Sequence, residues 1–301
     1  YHNKTKVSEG KVYLDLKPIT RMYEHWTVGD IEGHGVNPEN IPLESGLAPD
    51  SQAYTDQSPE DPNYILFVHG WRMLPWERRA FANTAYKRLW HLGYKGRFGL
   101  FSWPTEWSTG TAWANVVVDQ PNYKRSEWKA WNSAPGLLDR LYKLNKKYPG
   151  RVRVFAHSMG NIVVSEALLR NAGTNAVGLK VFPLVGCYVA SHAASVFQCY
   201  NPSLPDTVSN TVNIRLPNWY KIYPVTDPEH SVIGTEYFRG IKSSAASMVN
   251  FFDPDDFALS PEIWGANQTV KPRGLGVPSG YCYVGAFSHG KFYYNLTPLP
   301  M

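Results

Sequence analysis

The sequence predicts an α/β fold, with a mostly parallel central sheet covered by helices on both faces. Three observations carry this. Short β-branched and aromatic runs alternate along the chain with segments of helical periodicity, the rhythm of a parallel sheet joined by crossover helices. One of these runs, Tyr64-Ile-Leu-Phe-Val, is apolar throughout, as expected of a strand buried on both faces. The 301-residue chain is 43% hydrophobic, enough for a sizeable core, and large α/β folds use this length as one domain.

The elements follow in order. Lys11-Val-Tyr-Leu-Asp-Leu-Lys alternates and predicts a half-buried strand. Residues 28–63 are rich in Gly, Pro, Asn, Asp and Ser and predict a long surface connection. Residues 1–60 read as an N-terminal extension without an assigned role. After the apolar strand at residues 64–68, residues 76–92 place Ala80, Phe81, Leu89 and Leu92 near helical spacing, and Gly93 ends that helix. Residues 98–103 predict a strand ended by Pro104. Residues 104–132 read as an irregular, Trp-rich segment with Trp107, Trp113, Trp128 and Trp131. Ser133 is expected to cap a helix carrying Leu137, Leu138 and Leu141, closed by Pro149-Gly150.

Residues 152–169 hold the most informative stretch. A strand pattern (Val152, Val154, Phe155) stops at Ala156, and a helical pattern (Ile162, Val163, Ala167, Leu168) begins almost at once. Between them lies Ala156-His157-Ser158-Met159-Gly160, a sharp turn with a serine at its apex. This is the G-x-S-x-G nucleophile elbow with Ala for the first Gly, in the strand–turn–helix context the motif requires. Small residues on either side of the serine let strand and helix pass closely. The helix N-terminus aims N–H groups and a partial positive charge at the site, so the N–H of Met159 is a candidate oxyanion donor.

Beyond the elbow, residues 179–185 predict another strand. Residues 187–246 break the rhythm and read as a lid or a surface excursion. Residues 247–259 restore it with a buried strand and an acidic turn. Residues 281–287 give the last strand, followed directly by Ser288-His289-Gly290.

A nucleophilic serine needs a base, an acid that orients the base, and oxyanion donors. The chain order Ser, acid, His places the acid and base after residue 158. Of nine histidines only His192, His230 and His289 follow the elbow, and only His289 directly follows a late strand. The acidic turn offers Asp253, Asp255 and Asp256. Asp256, followed by Phe257, Ala258 and Leu259, fits the triad acid best, while Asp253 or Asp255 remains open as that acid or as a turn cap. The loop His69-Gly70-Trp71 supplies the second oxyanion donor, the Trp71 backbone, because Gly70 can turn the next N–H inward. His69 precedes the serine and is read as structural. Trp71 and Trp103, at the ends of their strands, are the candidate substrate-binding rings.

These residues together resemble the α/β-hydrolase superfamily in its lipase/esterase branch. The matching pieces are Phe67-Val-His-Gly-Trp71, Phe155-Ala-His-Ser-Met-Gly-Asn161, the acidic turn around Asp256, and His289, spanning roughly residues 60–295. Leu100-Phe-Ser-Trp-Pro104 is also similar to a run in poorly characterised bacterial members. The resemblance implies a single α/β-hydrolase domain and a Ser158–Asp256–His289 triad acting on carboxylic esters, with no metal or organic cofactor needed. It does not name a substrate, which is a small-molecule or polymer ester. Two departures stand out: Ala156 replaces the first elbow Gly, and little chain follows His289 for the usual final helix. An amidase would use the same residues. A non-catalytic hydrolase-like module that holds a glycan or polymer is the alternative from another class, but every triad role here has a candidate.

The bulk numbers narrow partners. A net charge of +5 and a pI near 8.9, without a Lys/Arg block, do not imply nucleic acid. No apolar run reaches transmembrane length. A trimmed secreted protein would begin as this chain does, as would an excised fragment, and an extracytoplasmic location is slightly favoured. Cys187, Cys199 and Cys282 form no metal pattern, and spacing alone does not establish a Cys187–Cys199 bridge. The sequons at Asn3, Asn267 and Asn295 are read as chance matches.

Overall fold

A computed structural model describes residues 18–29, 37, 40–54, 63–106, 120–173, 183–193 and 244–251. The predicted strands at residues 11–17 and 281–287 lie outside the described residues. So do Asp253, Asp255, Asp256, His230 and His289.

Among the described residues the strands form one seven-stranded sheet in the order β2-β1-β4-β3-β5-β6-β7. They are β1 (Glu24–Thr27), β2 (Gly46–Leu47), β3 (Tyr64–Val68), β4 (Arg97–Ser102), β5 (Val152–His157), β6 (Cys187–Ser191) and β7 (Met248–Phe251). Only β1 and β2 pair antiparallel; the other neighbours are parallel. Three helices connect them: α1 (Pro75–His91), α2 (Gln120–Lys147) and α3 (Gly160–Gly173). None of the described helices is long and apolar enough to cross a membrane.

The period-2 alternation of the central strands builds two cores, one on each face. Leu66, Val68, Phe101, Val152, Val154 and Ala156 face α2 and α3. Phe67, Phe98 and Leu100 face the other way and meet Ala82 and Tyr86 of α1, with Phe155 alongside. The predicted layers are therefore present. Full burial of each large apolar side chain contributes roughly 1.5–3 kcal/mol.

Local rules set the ends of α1. Pro75 opens it, the Glu77 carboxylate accepts the Leu74 N–H at 2.8 Å, and Gly93 leaves it at φ +92°. Arg78, buried, donates through Nε to the Met73 carbonyl at 2.7 Å and fixes the loop between β3 and α1.

The structure corrects several expectations. Ser133 does not cap a helix. It lies inside α2, and its Oγ donates to the Lys129 carbonyl at 2.7 Å. The stripe Ala130, Trp131, Ala134, Leu137, Leu141, Leu144 runs at helical spacing straight through Pro135. Its burial against the sheet and α3 offsets the roughly 3 kcal/mol that an interior proline costs. Residues 120–132 are thus helical, not irregular.

Of the strand expected at residues 179–185, residues 179–182 lie outside the described residues, and residues 183–185 belong to no strand; the ladder begins at β6. Pro183 lacks a ladder N–H, and Val185 makes only an isolated bridge with Ala245. Residues 187–191, assigned to the lid or excursion at 187–246, are a core strand in which Tyr188 and Ala190 are buried.

The connection at 28–63 is not all surface, because β2 adds to the sheet and Ile41, Ser45 and Ala48 are buried, and β1 gives residues 24–27 of the N-terminal extension a place in the same sheet. Cys187 carries a free thiol, and Cys199 lies outside the described residues.

β1 buries polar side chains with dedicated partners. The Glu24 carboxylate accepts the Tyr64 hydroxyl, the Trp26 indole N–H at 3.0 Å and the Tyr54 N–H at 2.8 Å. His25 Nε2 lies 2.8 Å from the Ser102 hydroxyl of β4. Burial, with a smaller push from the Arg79 charge, drives the His25 pKa down to about 4. This imidazole is neutral in the fold but protonates near 6.5 once unfolded. Its contribution is complete above about pH 6.5 and is lost as pH falls toward 4. Denaturant midpoints measured in steps across that window should fall with pH, by on the order of 3 kcal/mol on account of His25. His69 is shifted in the same direction, so His25→Gln should show a shallower fall, not a flat one. An identical pH slope in both proteins would contradict this assignment.

Candidate functional site

β5 ends at His157, and the chain turns through Ser158 and Met159 into α3 at Gly160. Ser158 has φ +51°, a left-handed conformation that L-residues adopt at a cost of about 1–3 kcal/mol. The turn is built to hold it. The Ser158 N–H donates to the Ser191 carbonyl at the end of β6, at 2.9 Å. The Ser158 carbonyl accepts the Asn161 N–H at 3.1 Å. The side chain of Met159 is buried in the core beneath, which anchors the residue after the serine.

Gly160 shows why the last elbow residue is glycine. A Cβ there would collide with the carbonyl oxygens of His69 and, at 2.7 Å, Val68. α3 therefore starts in backbone contact with the end of β3. Gly70 has the reciprocal role, since a Cβ on it would sit 3.0 Å from both the Ser158 Cβ and the His157 Nδ1. The His69-Gly70-Trp71 loop thus lies directly against the elbow. Among the described residues, no backbone carbonyl accepts the N–H of Met159.

His69 is fully buried and holds this loop in place. Its Nε2 faces the Trp103 backbone N–H at 3.2 Å and so accepts. That fixes the tautomer, with Nδ1–H donating to the Gly70 carbonyl at 2.8 Å. The Trp103 indole N–H donates to the His69 carbonyl at 2.8 Å, and the two rings stack with centroids 5.4 Å apart and planes 6° off parallel. Burial, then the nearby Arg78 charge, hold the imidazole well below its ordinary pKa, so it is neutral. The reading of His69 as structural agrees with this geometry.

Trp103, expected as a substrate-binding ring, is fully buried and spends its ring and its N–H on His69. It supports the loop from beneath and does not line an open cleft. Pro104, directly after it, is also buried. Trp71 is only half-buried, against the edge of the main core, with the Arg72 guanidinium 5.4 Å from its ring centroid.

Sequence reasoning missed the neighbours on the α1 face. His157 stacks on Phe81, with centroids 5.8 Å apart, and His192 lies beside it at 6.2 Å with its plane tilted by 50°. Phe81 in turn stacks on Phe67 at 4.9 Å and remains 38% exposed, so an aromatic ledge adjoins the serine. The alternation of β5 gives the signal, because His157 follows Phe155 on the same face. His192, at φ +45°, donates its N–H to the Phe251 carbonyl at 2.9 Å. This ties the end of β6 to the end of β7, the strand that precedes Asp253, Asp255 and Asp256 in the sequence.

Residues 53–186 match the model of a family described as alpha/beta hydrolase of unknown function (DUF900). The matched stretch holds both the His69-Gly70-Trp71 loop and the elbow, and the α/β-hydrolase resemblance read from the motifs holds for it. No curated protein matches the chain.

The contact between Gly160 and the β3 carbonyls leaves no room for a methyl group, because backbone stands on both sides. Gly160→Ala should lower stability by about 1–3 kcal/mol, measured by urea unfolding. An unchanged midpoint would show that the helix start can move away from β3 at no cost.

Proposed function

We propose that this α/β-hydrolase fold is a serine hydrolase that cleaves carboxylic esters through an acyl-enzyme intermediate. One observation supports the reading above all others: Ser158 stands left-handed at the apex between β5 and α3, with the His69-Gly70-Trp71 loop against it.

In this mechanism the Ser158 Oγ attacks the ester carbonyl carbon while its proton passes to His289. Asp256 accepts the other imidazole N–H and so sets the tautomer and orientation of His289. The carbonyl oxygen becomes an oxyanion, which takes hydrogen bonds from the backbone N–H groups of Met159 and Trp71. Collapse of the tetrahedral intermediate breaks the bond to the alkoxide, which leaves with the proton from His289. Water, deprotonated by His289, then attacks the acyl-enzyme by the reverse sequence and frees the acid and Ser158.

Several observations favour the parts of this scheme. The N–H of Met159 opens the N-terminal end of α3, where the helix dipole adds to the donor. The loop that would supply the Trp71 donor is braced by the His69–Trp103 pair and by Arg78. The half-buried Trp71 ring and the ledge of Phe81 and His157 offer apolar, flat surface to an acyl or alcohol group. Trp71 thus serves as donor through its backbone and as wall through its side chain.

A fluorophosphonate should label Ser158, and p-nitrophenyl esters of graded chain length should report the preferred acyl group. Ser158→Ala should abolish labelling, and Ser158→Ala and His289→Ala should each lower kcat by several orders of magnitude, since triad members act as a unit. Asp256→Asn should cost about 10⁴-fold, and Asp253→Asn and Asp255→Asn far less. Full ester turnover by purified, folded Ser158→Ala would end the proposal. A silent Asp253→Asn beside an active Asp256→Asn would move the acid three residues upstream.

A further inference from the structure

Behind the elbow sits a buried amide that the scheme above does not use. Asn161 is the second residue of α3 and is fully buried. Its Nδ2 lies 2.9 Å from the Ser158 carbonyl, 3.2 Å from the Ser191 carbonyl and 3.3 Å from the Ala156 carbonyl. Its Oδ1 accepts the hydroxyl of Tyr188, on β6, at 2.7 Å. The orientation of the amide follows from its surroundings, because the reverse would set an oxygen against three carbonyl oxygens and leave the hydroxyl facing an NH₂.

This is not helix capping. A capping asparagine precedes the first turn and accepts N–H groups through its oxygen. Asn161 lies within the helix and donates backwards, to carbonyls on the strand side of the turn. The Ser191 carbonyl is shared. It accepts the Ser158 N–H and lies within reach of the Asn161 amide, so the serine's own N–H and C=O are both tied, directly or through Asn161, to the end of β6.

We propose that Asn161, oriented by Tyr188, is a positioning residue of the serine site. It holds Ser158 in its left-handed conformation and registers the elbow against β6. The proposal rests on the reading of Ser158 as the nucleophile. Its physical basis is that a strained conformation persists only where its surroundings over-determine it, and here the two N–H groups of one amide are shared among the carbonyls before, at and beyond the strained residue. A tilt of the serine by about 1 Å would move Oγ off the line of attack, a displacement that costs on the order of 100-fold in rate.

The test separates positioning from mere stability. Asn161→Asp keeps size and shape but replaces the donor with an acceptor. Tyr188→Phe keeps the amide and removes only the group that orients it. Each variant and the wild type are titrated with a fluorophosphonate to count reactive serines. The acylation rate constant per reactive serine is then measured beside the melting temperature and the hydrogen exchange of the Ser158 and Met159 amides. The rate per reactive site should fall by about 100-fold in Asn161→Asp and by about 10-fold in Tyr188→Phe, with faster exchange of the two amides in the same order. Sites that react at the wild-type rate in both variants, however much the melting temperature drops, would overturn the proposal. Failure of the wild type to be labelled at Ser158 would instead remove the hydrolase reading. The clamp would then stand or fall on exchange alone, and unchanged protection of the Ser158 amide in Tyr188→Phe would overturn it.

Discussion

Ser158 must turn left-handed, at about 1–3 kcal/mol against an ordinary conformation, and much of the surrounding structure serves that constraint. A serine set at the apex of a strand–helix turn has its hydroxyl clear of the sheet, but only if strand, helix and neighbouring loop all approach closely. Gly160 permits α3 to touch the β3 carbonyls, and Gly70 permits the next loop to touch the serine. The two contacts are mutual. A side chain at either position would push apart elements whose distance the other fixes. Hydrogen bonds then hold what the glycines allow, from Ser158 to the end of β6 and from Asn161 to three carbonyls around the turn.

A second layer keeps the first in register. The neutral His69 accepts from Trp103 and donates to Gly70, so β4 and the loop after β3 move together. A protonated imidazole could not accept, and burial holds the His69 pKa well below its ordinary value, which favours the neutral, accepting form. Arg78 holds the far end of the same loop through the Met73 carbonyl. At the other side, the bond from His192 to Phe251 carries the ordering of β6 to the end of β7. The turn at Ser158 and the end of β7 are therefore two bonded steps apart, through Ser191 and His192.

The parts of the fold legible in the sequence are those whose burial pattern matches local propensity. β3 is apolar throughout, α1 carries its own start and stop residues, and the elbow combines a strand, a small-residue turn and a helix within a few positions. What was hidden depended on partners far along the chain. β1 reads Glu-His-Trp-Thr, which looks like exposed chain until Tyr64, Tyr54 and Ser102 satisfy its polar groups. α2 looked broken at Ser133 and Pro135, because the tertiary packing that overrides the proline is not a local property. β6 was masked by the prolines and scattered aromatics around it. At the candidate site, the residue types announced a tight turn at Ser158 and a close approach at Gly70, which the backbone shows. The role of Trp103 turned on the direction of its ring, which position at a strand end does not encode. Asn161 follows the elbow in the sequence, yet only the geometry reveals its bonds.

The central claim is that the elbow presents Ser158 Oγ to a carbonyl whose oxygen is met by backbone donors on two loops. A crystal structure of the protein after reaction with an alkyl fluorophosphonate tests it most directly. The account predicts a phosphonyl group bonded to Ser158 Oγ, with its oxygen about 2.7–3.1 Å from the backbone nitrogens of both Met159 and Trp71. An adduct on another residue, or a phosphonyl oxygen on Ser158 that faces away from both nitrogens, would contradict it.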